Sequence, residues 1–137
     1  MTLPCSPRNE IDGIVYLPRL CDKIRLHTAG QLDPDYHANL GRGMDLWTCQ
    51  FLGVDYEALA EVVRSGASDA EALDWARENG TQRPEHEATW WKCYMLTRGF
   101  RDDLAERLIA RKQESGMEDR TEIQTFMDYI DADEGRL

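Results

Sequence analysis

"SDAEALDWARENG", residues 68 to 80, is a complete helix written in punctuation. Ser68 and Glu71 stand three apart, the spacing at which a hydroxyl and a carboxylate satisfy each other's free backbone amides at a helix start. Ala72, Leu73 and Ala76 then supply an apolar stripe at helical period, and Gly80 supplies the stop. The question outward from this stretch is whether the same grammar recurs along the chain.

It does. "YLPRLCDKIRLHTAG" sets Leu17, Leu20, Cys21 and Ile24 on one helical face and ends at Gly30. Asp33 before Pro34 reads as an N-cap with proline at the first helical position. "GMDLWTCQFLG" is apolar at Met44, Trp47, Phe51 and Leu52 and stops at Gly53, and Asp55 caps a stripe of Tyr56, Leu59, Val62 and Val63 that stops at Gly66. Pro84 opens a helix in which Ala88, Trp91 and Met95 share one face while Trp90 and Tyr94 point nearly the opposite way, the pattern of a helix buried on most sides. Asp102 caps a core face of Leu104, Leu108 and Ile109 that ends at Gly116. A second capping box, Asp119 to Glu122, starts a last helix with Ile123, Phe126, Met127 and Ile130 inward. Strand patterns are almost absent. The expectation is an all-α, compact single-domain bundle of about seven short helices with short connections, residues 1–15 forming a polar lead-in and residues 16–137 one helical domain.

Composition bounds the function. A chain of 137 residues with 42% hydrophobic and 31% charged residues has the make-up of an ordinary globular protein. Its net charge of -10 is uneven: residues 1–32 hold four basic and three acidic side chains (+1), and residues 33–137 hold twelve and twenty-three (-11). That acidic bulk argues against nucleic acid, whose binding needs a concentrated basic face. The longest apolar runs, "IVYL" and "CYML", fall far short of the roughly 20 residues of a membrane span, and no secretory leader pattern is present, so no membrane association and a cytoplasmic location are expected. Cys5, Cys21, Cys49 and Cys93 form no CxxC pair and read as reduced thiols, three of them lining the core.

"LPRLCDKIRLHTAGQL", together with "FLGVDYEAL", "SDAEALDWARENG" and "TFMDYIDADEGR", resembles the domain-of-unknown-function family 5069 over nearly the whole chain. The most specific part is the spacing of Leu17, Pro18, Arg19, Asp22, Lys23, Arg25 and Gly30. The resemblance implies a small, mostly helical bacterial protein, and it carries no catalytic residue, substrate or cofactor over to this chain.

The motifs that tempt a chemical reading each lack a part. "DADEG" at the C-terminal end has Asp131 and Asp133 at positions one and three of a calcium loop, but Gly135 is at position five rather than six and no twelfth ligand follows. "HEATW" lacks the second histidine of a zinc protease, and "LGRGMD" lacks the lysine and hydroxyl of a phosphate loop. Neither a metal site nor a cofactor site is expected. The paired Trp90 and Trp91 with Tyr94 read as core rather than as an aromatic cage.

Two charged clusters are left. Arg19, Lys23 and His27 fall four apart along one ridge of the first helix, with Arg25 on another side; such a row can bind a carboxylate or phosphate. Asp128, Asp131, Asp133 and Glu134 form the acidic face and tail of the last helix, an ion-pair or partner surface. The function expected is a non-catalytic, cytoplasmic interaction domain acting through protein contacts, self-association included. The alternative is a small-molecule or anion-binding protein, catalysis included, whose pocket is bordered by Arg19, Lys23, Arg25 and His27 and floored by Trp47, Trp90 or Trp91.

Overall fold

A computed structural model describes residues 1–137. Its chain separates into two compact units, residues 1–89 and 90–137. The fold class is all-α, with a single small hairpin.

In the first unit, the hairpin pairs β1 (Glu10–Ile11) antiparallel with β2 (Ile14–Val15), Glu10 opposite Val15 and Ile11 opposite Ile14. Asp12 and Gly13 make the two-residue turn, both at positive φ (52° and 79°). That backbone matches the twist of paired strands, which is why Asp-Gly favours such hairpins. The lead-in therefore ends in ordered structure, and its Pro4 and Pro7 are buried. Helices α1 (Leu17–Thr28), α2 (Met44–Leu52), α3 (Tyr56–Arg64) and α4 (Asp69–Asn79) follow, with a 3-10 turn at Pro34–Asn39 between the first two. Helix α1 packs against α3 and α4, and α2 against α3. Leu17, Leu20, Cys21, Leu59, Val63, Leu73 and Ala76 fill this core.

Two of the capping signals in this unit act as read. Asp55 accepts from the Ala58 amide, and Ser68 and Glu71 form the full capping box. The ends of α2 and α4 meet where Thr81 N donates to Leu52 O at 2.9 Å. A β-carbon on Gly80 would lie 2.1 Å from Leu52 O, so this glycine, at φ -110°, is required by space rather than by conformation.

Helix α5 (Glu85–Thr97) crosses from the first unit into the second, which continues with α6 (Ala105–Glu114) packed on α7 (Phe126–Asp133). Three expectations change here. Helix α5 is not buried on most sides: Met95 is its one fully buried residue, and Trp90 is 67% exposed. Its apolar side chains alternate with Glu87, Thr89, Lys92 and Thr97, so no second face is wholly apolar. Ile109 is 56% exposed; the inward stripe of α6 is Leu104, Leu108 and Lys112, whose ammonium donates to Arg120 O and Ile123 O. Those two bonds hold residues 119–124 as turns, so α7 starts at Phe126. Its capping box is Thr125 with Asp128, not Asp119 with Glu122.

Candidate functional site

The first helix begins under strain. Tyr16, its N-cap, sits at φ 75° in the left-handed region, an unfavourable place for a bulky residue. Its amide donates to Asn9 O at 2.9 Å, so the hairpin holds it there, and Pro18 fits the first turn, where no intrahelical donor is lost. The reward is a buried hydroxyl. Tyr16 Oη donates to Asp45 Oδ1 at 2.6 Å, and Lys23 Nζ, one face down the same helix, donates to that oxygen at 2.9 Å. Gly41 N donates to Asp45 Oδ2 at 3.0 Å. Asp45 is 1% exposed and Lys23 4%. A charge pair this deep survives only because both carboxylate oxygens are satisfied. Burial, with the Asp45 charge next, drives the Tyr16 phenol well above its ordinary range, so it stays protonated and serves as a donor.

The rest of the basic ridge is spent in similar ways. Arg19, also buried, donates to Cys5 O at 3.0 Å and lies over the Tyr36 ring. Arg25, half-buried, donates to Asp22 Oδ1 at 3.2 Å, to Asp69 Oδ1 at 2.7 Å and to Ala67 O at 3.2 Å, while Cys5 N donates to Asp22 Oδ2. His27 is exposed, its ring edge-on to that of His37 with centroids 4.8 Å apart. Of the four, only Arg25 and His27 present polar surface to solvent. A hollow of about 520 Å³ does open on this unit, but it is lined by Arg8, Asn9, Glu10, Ile11, Pro18 and Asp69 and by none of the ridge residues. Trp47 is half-buried on α2.

The thiols divide. Cys21 and Cys49 are buried, Cys5 is half-buried and Cys93 is exposed. Burial, with nearby carboxylates adding to it, pushes Cys5, Cys21 and Cys49 up to about 12, far from the thiolate that nucleophilic catalysis or metal ligation requires. No three His, Cys, Asp or Glu side chains form a group fit to hold a metal ion.

The acidic residues of the last helix are not one surface. Asp128 lies in the first turn, where its carboxylate accepts from Gln124 N and Thr125 N and the helix dipole favours it. Asp131 is buried and accepts from Arg136 at 3.4 Å; Arg136 also donates to Glu134. Asp133 is exposed.

Sequence reasoning missed a different place. Trp90, 67% exposed, and Tyr94, 44% exposed, stand one turn apart on the same side of α5. The Arg98 guanidinium lies 4.7 Å from the Tyr94 ring centroid. It is gripped in turn by both oxygens of Asp103, at 2.7 and 3.3 Å, and by Asp102 at 3.1 Å. The hydrogen bond from Arg98 holds the Asp103 carboxyl below its ordinary range. Residues 98 to 103, "RGFRDD", carried the signal in their spacing: one arginine followed four and five residues later by carboxylates.

Residues 1–136 match the family described as Domain of unknown function (DUF5069). No curated protein and no solved structure matches the chain.

Proposed function

We propose, for a chain that belongs to the DUF5069 family, a non-catalytic role as a helical interaction domain of the bacterial cytoplasm, acting through protein contacts made by the exposed side of α5. One observation carries the reading: a tryptophan mostly in solvent and a tyrosine nearly half so, one turn apart, with the tyrosine ring braced by an arginine that two aspartates hold still. Trp, Tyr and Arg are the residue types that dominate binding energy at protein interfaces, and fixing the ring beforehand lowers the entropy lost on docking.

The anion-binding alternative has less to stand on. Lys23 already neutralises Asp45, and Arg25 already serves two carboxylates, so a bound anion would have to displace internal partners. No helix is long and apolar enough to cross a membrane.

The test is a photo-crosslinking residue placed at position 90 or 94 and, as control, at the exposed Glu61 of α3. Covalent protein adducts at 90 and 94 but not at 61 are expected. Adducts at none of the three sites sink the reading. So does a melting temperature raised by phosphate, sulfate or a dicarboxylate and no longer raised in Arg25→Ala/His27→Ala, since a ligand that binds only the folded state stabilises it by mass action.

A further inference from the structure

Most basic side chains of this chain are already engaged. Arg25, Arg64, Arg77, Arg98 and Arg136 each hold a carboxylate, and Lys112 holds two backbone carbonyls. With 26 acidic and 16 basic residues that is what chance encounters alone would favour. Arg107 and Arg111 depart from it. Both are exposed on α6, four residues apart and therefore on one ridge, and neither takes part in an ion pair or side-chain hydrogen bond within the chain.

Helix α4 carries the counterpart. Asp74 and Glu78 are exposed, four residues apart, and likewise take no partner within the chain. Their neighbours on α4 are occupied: Arg77 by Asp12, Asp69 by Arg25 and Glu71 by the capping box. Each ridge stands on a helix whose other side is fixed, α4 by buried Ala72, Leu73 and Ala76 and α6 by Leu108 and Lys112. Glu106 and Glu114 also lie on the exposed side of α6, so the arginine ridge is bordered by acid and selects a partner of matched spacing over a merely acidic one.

We propose that a second copy of this chain is the partner, the Arg107–Arg111 ridge of one copy meeting the Asp74–Glu78 ridge of the other. Equal spacing on two helices allows both ion pairs to form at once, and local complementarity of this kind is what two molecules of net charge -10 need in order to approach. Exposed pairs are individually weak and screened by salt, so the association is transient and salt-labile. The contact joins two different patches, hence each copy keeps one ridge available for a further copy unless the pair closes on itself. This inference goes beyond the α5 reading: it names a second contact surface, with its own partner, on α4 and α6.

Sedimentation velocity over a concentration series tests it, on the full chain, with circular dichroism confirming that each variant keeps its helix content. The wild type should gain mass with concentration at about 0.05 M salt and lose affinity about tenfold or more at about 0.5 M. Arg107→Glu/Arg111→Glu and Asp74→Arg/Glu78→Arg should each stay monomeric alone. An equimolar mixture of the two should associate, because every ridge then meets its opposite. A monomeric wild type, an associating single variant, or a mixture that does not recover overturns the pairing. Association that survives both charge variants but disappears in Trp90→Ala/Tyr94→Ala would overturn the ridges and leave the α5 reading standing. Recovery in the mixture, with the aromatic variant associating as the wild type does, is the expected result and assigns the self-association to the ridges.

Discussion

At the scale of single residues, Lys23 and Asp45 are the most consequential pair, because neither can be removed alone. Asp45→Ala strands a buried ammonium together with the Tyr16 hydroxyl and the Gly41 amide, and should cost about 3–5 kcal/mol in urea denaturation. Lys23→Met/Asp45→Leu removes both charges and should recover at least half of that loss, leaving only two neutral donors to be satisfied elsewhere. A double variant no more stable than Asp45→Ala would contradict the account. Sequence placed Lys23 on the correct ridge of the first helix but could not see that the ridge turns inward. Periodicity treats a lysine as a polar position, and its partner lies 22 residues away in a segment read as apolar at Met44, Trp47, Phe51 and Leu52. The buried side of that helix is Met44, Asp45, Thr48, Cys49 and Leu52.

At the scale of elements, helices were legible wherever a cap, a stripe and a stop agreed, as in α3 and α4. Where two capping signals competed, tertiary bonds chose between them. "DRTE" and "TFMD" are both plausible starts for the last helix, and Lys112 selects the second by binding the carbonyls of Arg120 and Ile123. Thr125→Ala should therefore cost about 1 kcal/mol and lower the melting temperature by a few degrees, while Asp119→Ala should stay within about 0.5 kcal/mol of wild type. Equal losses would mean that the helix starts earlier than Phe126. The hairpin was missed for a different reason: strands of two residues are too short to express alternation, and only the Asp12–Gly13 turn announced them. The exposed aromatics of α5 were read as core because large apolar residues usually are. Burial on a second face depends on what packs there, and a single helix does not encode its neighbours.

At the scale of the whole molecule, charge governs behaviour in acid. Hydrogen bonds hold three exposed carboxyls below their ordinary range: the Ser68 amide bonds Glu71, Arg98 bonds Asp103, and the Glu122 backbone amide, with Arg120, bonds Glu122. A carboxyl with a lowered folded-state pKa contributes stability that is present above its unfolded value, about 4, and is lost as pH falls through the folded value. Resistance to urea should therefore be flat near neutrality and fall below about pH 4, and Asp103→Asn, already lacking its share at pH 7, should lose less on acidification than the wild type does. The buried pair has a consequence of another kind, in time. Tyr16, Lys23, Gly41 and Asp45 all precede residue 46, and the helices that enclose α1 in the first unit are complete by residue 79. Ribosomes deliver the chain N-terminus first, at about 5–20 residues per second. Asp45 follows Lys23 out of the ribosome by only 22 residues, about 1–4 seconds, so the ammonium and the carboxylate that neutralises it emerge nearly together.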